Sequence, residues 1–261
     1  FSFANINKKF PNKKAKVITS IAMFYDLEEP ISFVKQIHEA LADDGVWIFE
    51  QSYMPTMLET NSYDTICHEH VEYYSLRQIK YMLDKVGFKI IDVVLNDVNG
   101  GSFRITTAKN SSVYIPKSTV LKYESAEQKR MLDILKPYEI FKKNVELHKQ
   151  KLISLIREIQ QQGQKIFGYG ASTKGNVILQ YCGLTPNDIP YIAEVNEDKF
   201  GSYAPFTHIP IISEKEARSM KPDYFLVLPW HFRKGILEKE KEFLNSGGKF
   251  IFPLPQIEIV G

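Results

Sequence analysis

The sequence predicts an α/β protein built as two units in series, and three observations carry that prediction. Apolar, β-branched runs alternate with stretches of helical periodicity through the first 110 residues. The alternation resumes after about residue 163, and a polar and then amphipathic stretch lies between the two regions. The boundaries read as 1–110, 111–162 and 163–261. A length of 261 residues with 44% hydrophobic content gives material for one large or two ordinary cores.

The elements follow in order. Ala-Lys-Val-Ile-Thr-Ser-Ile-Ala, from Ala15 to Ala22, is β-rich and largely apolar, as a buried central strand is. Pro30 suits the first turn of a helix in which Phe33, Val34, Ile37, Ala40 and Leu41 repeat toward a stop at Asp43-Asp44-Gly45. Val46 to Phe49 is the next buried strand, with Glu50-Gln51-Ser52 at its carboxyl end. Strand, helix, strand implies a right-handed parallel crossover, and ligands of such sheets sit outside the carboxyl ends of the strands. Two loops therefore matter: Ser20 to Asp26, and Glu50 to Tyr74, which is long enough to read as functional. Ser75 can cap a helix over Leu76 to Leu83 ending at Gly87. Phe88 to Val94 and Phe103 to Ala108 read as two strands joined through Asn99-Gly100-Gly101.

Between the units, Ser111-Ser112 and Pro116-Lys117-Ser118 read as linker, followed by a long helical region that Pro137 should break or kink. Its apolar stripe, through Val145, Leu152, Ile156 and Ile159, is expected to pack on the second unit. That unit opens with a strand from Lys165 to Gly170 running into a Ser-Thr-capped helix. Gly168, Tyr169, Gly170, Ser172, Lys174 and Asn176 read as a phosphate-cradling turn that presents backbone N–H groups and a point charge to an anion. It belongs to neither familiar class: a dinucleotide fingerprint wants its third glycine at Thr173, whereas the next one here is Gly175, and Asn176 replaces the lysine of a Walker loop. The alternative is a glycine turn needed only for close helix–strand packing. Further strands run from Ile189 to Glu194, over Ile211-Ile212, from Tyr224 to Leu228 and from Lys249 to Phe252; Pro253 and Pro255 should bar further pairing. Glu194 suits a ribose hydroxyl, and Trp230-His231 closes a strand at a ligand-facing position.

Charge excludes one class of partner. Thirty-three basic and thirty-one acidic residues leave a net charge of +2, too small a field for nucleic acid. Two cysteines, Cys67 and Cys182, make no disulfide framework and fit a cytoplasmic protein; no apolar run reaches membrane-spanning length. The chain begins at Phe1 rather than Met, which reads as the interior of a longer protein.

Chemistry concentrates between Tyr63 and Tyr74, Tyr-Asp-Thr-Ile-Cys-His-Glu-His-Val-Glu-Tyr-Tyr. Groups that exchange protons near neutral pH are scarce, and two of the six histidines flank Glu69 here. A zinc-protease helix needs histidine four residues after His68, where Glu72 stands, so no metal site is expected. The preferred reading makes His70 or His68 a general base and Glu69 its partner.

Tyr63 to His70, together with Asn99-Gly100-Gly101-Ser102-Phe103-Arg104, Gly168 to Asn176 and Phe252-Pro253-Leu254-Pro255-Gln256, resembles the sugar C-methyltransferase family that acts on nucleotide-linked keto-sugars. The resemblance implies the C-terminal half of a Rossmann-like methyltransferase sheet followed by a second Rossmann-like α/β domain. It implies S-adenosylmethionine as cofactor, of whose pocket only a distal wall around Ser20 and Ala22 is expected here. The glycine-rich cofactor loop and the cysteine-rich zinc domain of family members are not in this sequence, so zinc is expected only in such a domain and the chain as given is expected to be inactive on its own. His70 becomes the base that forms an enolate, Glu69 its orienting partner, with His68 nearby. Tyr25 stands where many relatives have histidine and becomes a donor to the oxyanion. The substrate is expected to be a nucleotide-sugar, with no nucleic acid or membrane partner, in a monomer or small homo-oligomer. Two other readings stay open: a non-catalytic nucleotide-sugar binding fragment, and a nicotinamide-dependent oxidoreductase.

Overall fold

The computed structural model describes residues 1–261. Packing divides the chain into two compact units, one of residues 1–57 and 68–137, the other of residues 58–67 and 138–261.

The first unit contains α1 (Phe3–Lys9), β1 (Ala15–Ile21), a 3-10 turn over Phe24–Asp26, α2 (Pro30–Ala40), β2 (Leu41–Ser52), the start of α3 (Met54–Glu59), α4 (Leu76–Val86), β3 (Phe88–Asn96), β4 (Ser102–Lys109) and α5 (Ser118–Lys129). Its sheet runs β1-β2-β4-β3, with β1 and β2 parallel and the other pairings antiparallel. Alternate residues of β2, Trp47 and Phe49, point into a core shared with Phe24, Phe33 and Ile37 on one side of the chain order and Ile79, Leu83 and Phe103 on the other. Gly87, left-handed at φ 93, ends α4 where the sequence placed its stop.

Three expectations are corrected in this unit. β1 is an edge strand pairing only with β2, so Val17 and Ile21 are 58% and 57% exposed instead of buried. β2 begins at Leu41, so Asp43-Asp44-Gly45 lies within a strand. The long Glu50–Tyr74 connection carries α3 and a 3-10 turn at Tyr63–Thr65.

Glu127 ties the helices of the first unit together. From α5 its buried carboxylate accepts the N–H of Leu76 at 2.6 Å and of Arg77 at 3.1 Å, and the Tyr53 hydroxyl at 2.7 Å. A carboxylate at the first turn of α4 meets the donors that have no partner within the helix.

The second unit contains α6 (Lys136–Gln161), β5 (Ile166–Tyr169), α7 (Thr173–Cys182), β6 (Ile192–Glu194), β7 (Ile211–Ser213), α8 (Glu214–Ser219), β8 (Tyr224–Val227), α9 (Arg233–Lys239), α10 (Lys241–Asn245), β9 (Lys249–Phe252) and β10 (Glu258–Val260). The sheet order is β10-β9-β8-β5-β6-β7, all parallel except β10. The chain winds outward from β5 through β6 and β7, returns to β8 on the other flank and continues to β9. The direction therefore switches between β5 and β8, where doubly wound sheets hold ligands at the carboxyl ends. Leu152, Ile156 and Ile159 of α6 join this core, as expected of the apolar stripe. The helical region is broken, with α5 ending at Lys129, and Pro137 falls in the first turn of α6, where its missing N–H costs nothing. Pro253 and Pro255 do not end the sheet: past them, β10 turns back antiparallel on β9, pairing Ile259 with Ile251.

Glu127→Ala is expected to lower the stability of the first unit by about 2–4 kcal/mol, since three donors lose their acceptor. Guanidinium unfolding read by circular dichroism measures it, with Glu127→Gln expected to lose less.

Candidate functional site

In the first unit the predicted centre forms outside the carboxyl ends of β1 and β2. Ala22 is left-handed at φ 52 and its N–H donates to Glu50 O at 2.8 Å, leading the chain into the Phe24–Asp26 turn. The backbone oxygen of Tyr25 accepts the N–H groups of Val71 and Glu72, each at 3.1 Å, which holds the histidine segment against that turn. The rings of Tyr25 and His70 consequently lie 4.2 Å apart at 51°. Tyr25 is buried and His70 half-buried, whereas His68 and Glu69 are exposed. Tyr25 and His70 are thus brought together, and His68 faces solvent.

Asp26 completes the group and was not singled out from the sequence. Burial pushes its carboxyl above the usual carboxylate range, His70 pulls it back and Glu69 adds to the rise. The signal available was its adjacency to Tyr25; the fold brings both to His70.

Ser20 and Ala22 were expected to line the cofactor. The Ser20 hydroxyl accepts the indole N–H of Trp47 at 3.1 Å in a buried setting, and the Ala22 N–H is taken by Glu50. The turn from β1 to α2 carries no glycine.

The second unit gathers a different set at its switch point. Asp64 is fully buried and its Oδ2 accepts the Trp230 indole N–H at 2.7 Å. Burial pushes its carboxyl up, and Lys174 opposes the rise. Lys174, in the first turn of α7, is half-buried; burial pushes its ammonium down, partly restored by Asp64 and Cys67. His231 follows β8, and its Nδ1 is sealed without a hydrogen-bond partner. Burial, then Lys174, lowers its pKa to about 4. Lys174 and His231 are therefore brought into each other's field. Asp64 and Trp230 join them from positions 166 residues apart.

The remaining predicted residues have partners of their own. Glu194 accepts backbone N–H groups from Ala171 at 2.8 Å, Val195 at 2.8 Å and Asn196 at 3.0 Å. Burial alone would raise its carboxyl, but these bonds and Lys199 hold it below the usual range. The Tyr169 hydroxyl donates to Glu240 at 2.9 Å, and burial and then Glu214 push its ionisation up. Ser172 caps α7, accepting the Gly175 N–H at 3.0 Å, and half-buried Asn176 follows one residue on. A Cβ on Gly168 would lie 2.9 Å from Ile192, on Gly170 2.8 Å from Pro229 and on Gly175 2.5 Å from Leu228. Close packing accounts for all three glycines. No group of three or more His, Cys, Asp or Glu side chains is placed to hold a metal ion, Cys67 and Cys182 form no disulfide, and no helix is long and apolar enough to cross a membrane.

Comparison with known proteins adds the following. A family model described as the C-methyltransferase C-terminal domain matches residues 97–255, and one described as a methyltransferase domain matches residues 1–93. C-methyltransferase NovU of Streptomyces niveus is 32% identical over 235 residues, covering 90% of this chain and 55% of NovU. The chain thus spans about half the length of the curated relative it matches. Among solved structures, the one titled "The structure of LepI complex with SAM" gives a TM-score of 0.33 at 11% identity, over 38% of this chain and 27% of that one. "Crystal structure of TnmH" gives 0.30 at 15%, over 37% and 31%. Likeness at that level does not bear on activity.

Two outcomes are expected. His231, and His148 with it, titrate below 6.5 when folded, so as pH falls the unfolded chain takes up protons first. Stability of the second unit is therefore lost as pH falls from 6.5 towards about 4, and His231→Gln should flatten that loss in thermal melts across the range. Calorimetry of the 261-residue chain with S-adenosylmethionine should show no micromolar binding.

Proposed function

This chain belongs to the C-methyltransferase family, and from that premise we propose that it serves the transfer of a methyl group from S-adenosylmethionine to a carbon next to a ketone, in a nucleotide-linked keto-sugar. The observation that carries the reading is the His70 imidazole held 4.2 Å from the Tyr25 ring, with Asp26 in its field, at the carboxyl ends of parallel strands.

Carbon is a poor nucleophile until a proton leaves the position next to the carbonyl. His70 is the base that takes it: imidazole titrates near neutrality, and half-burial leaves the ring reachable. The imidazolium that forms is stabilised by the Asp26 carboxylate, whose charge couples to His70, with Glu69, the preceding residue, as its orienting partner. Tyr25 fixes the ring against rotation through its face, and its own buried position keeps water from that side. S-adenosylmethionine supplies an electrophilic methyl group when bound.

The second unit is read as the nucleotide-sugar binder. Lys174 in the first turn of α7 offers a positive charge beside the backbone N–H groups at the helix start, a setting suited to a diphosphate. His231, kept neutral at physiological pH, offers a hydrogen bond without adding charge. Glu194, with its oxygens taken by backbone donors, serves to hold the β5–α7 turn in shape.

The test uses deuterium wash-in next to the carbonyl of a ketone substrate in D2O, followed by proton NMR, which needs no methyl donor. His70→Ala should slow the exchange by roughly two to four orders of magnitude. Exchange at the wild-type rate in that variant removes His70 as the base. Labelled donor supplied with candidate keto-sugars, with the label located by mass spectrometry, reports the transfer itself.

A further inference from the structure

Gln51 is a buried polar residue that the reading above does not use. It is the penultimate residue of β2 and 1% exposed, and neither its Nε2 nor its Oε1 has a hydrogen-bond partner. An amide donor and acceptor sealed from water and left unpaired destabilise a core, and leucine or methionine of similar size would not carry that cost. The residue lies at the carboxyl end of β2, the end of such sheets outside which ligands sit. Gln51 pairs with Phe103 of β4 and shares the face of Trp47 and Phe49, and the preceding Glu50 lies opposite Ile21, the last residue of the parallel strand β1. Beyond Ile21 come Ala22 and the turn that presents Tyr25 to His70.

A second unpartnered group accompanies it. The Tyr74 hydroxyl is buried without a partner, and burial and then Glu72 push its pKa up to about 12, so it remains a neutral donor. The rings of Tyr74 and Phe49 each lie 5.5 Å from that of Phe24, the residue before Tyr25.

We propose that the Gln51 carboxamide reads an α-hydroxy carbonyl group of the acceptor: Nε2–H donates to the carbonyl oxygen, and Oε1 accepts from the hydroxyl on the adjoining carbon. The argument is one of complementarity. A carboxamide presents one donor and one acceptor side by side, and a hydroxyl next to a ketone presents an acceptor and a donor at matching separation. A simple ketone satisfies Nε2 and leaves Oε1 unmade. A carboxylate or phosphate oxygen would face Oε1 with like partial charge. This assignment rests on His70 as base and narrows its substrate to ketones flanked by a hydroxyl.

The same contact assists the chemistry. As the C–H bond next to the carbonyl breaks, the proton passes to the His70 imidazole, the C–H electron pair forms a carbon–carbon double bond, and the carbonyl π pair moves onto oxygen. Negative charge therefore collects on the atom that Nε2–H already touches, and that bond strengthens in the transition state. Because the amide is sealed, entry requires a covering residue to move. The 68–73 segment, without helix or strand, leads into Tyr74, whose carbonyl accepts the N–H of Met54, two residues past the end of β2, at 3.0 Å.

The test compares deuterium wash-in on a matched pair, hydroxyacetone and acetone, by the 261-residue chain, each rate divided by that of buffer alone. The wild type should favour hydroxyacetone by about tenfold or more, and Gln51→Leu should bring that preference to about one. Thermal melting of Gln51→Leu should match or exceed the wild type, because an unpaired amide has been removed from the core; Gln51→Met serves if the leucine variant does not fold. A preference unchanged in these variants, or melting of both well below wild type, overturns the assignment while leaving His70 in place. No His70-dependent exchange on either ketone overturns the base and this assignment together.

Discussion

Four carboxylates, Asp64, Glu127, Glu194 and Glu240, are buried in this protein, and a carboxylate can leave water only where donors wait for it. Where each finds those donors decides the local architecture. Glu127 closes the start of α4 and receives Tyr53. Glu194, at the end of β6, takes three backbone N–H groups and so locks the turn after β5 to its neighbour strand. Glu240 receives Tyr169 from β5 and Arg218 from the end of α8. These three act as fasteners between elements distant in sequence. Asp64 differs in what surrounds it: besides the Trp230 indole and the backbone N–H groups of residues 64 and 65, it feels the Lys174 ammonium at the switch point of the second sheet.

That contrast separates scaffold from chemistry. Where donors are many, the carboxylate is held charged, as Glu194 is. At the switch point, burial pushes Asp64 up while it pushes Lys174 and His231 down, so desolvation disfavours charge on all three. Groups driven toward neutrality in one place bind polar ligands without first shedding tightly held water or counterions. In the first unit burial likewise pushes the Asp26 carboxyl up.

Much of the fold was legible in the sequence because it follows from periodicity: the spacing of Phe33, Val34 and Ile37, the stop at Gly87 and the apolar stripe of α6 all reappear. What escaped depends on distance or on context. The burial of β1 was misjudged because apolar composition does not say how many neighbours a strand has. α3 opens with Met-Pro in a stretch without helical repeat, and β10 lies beyond prolines that end one strand without forbidding a return. Asp64 was visible as part of a dense polar run, but its meeting with Trp230 spans 166 residues and leaves no local trace. The glycines of the β5–α7 turn suited either phosphate or packing, and only the clearance left for a Cβ separates the two. Gln51 looked like a strand-end polar residue; its significance lies in what it fails to touch.

The free flank of β1 has a practical outcome. In the 261-residue chain the outer backbone edge of β1 and the Val17 and Ile21 side chains stay open to another extended segment. Lys16 on the same strand, paired with Asp44, places charge beside that edge and discourages stacking of one copy on the next. Association of the 261-residue chain on concentration is thus set by the residues along that one edge.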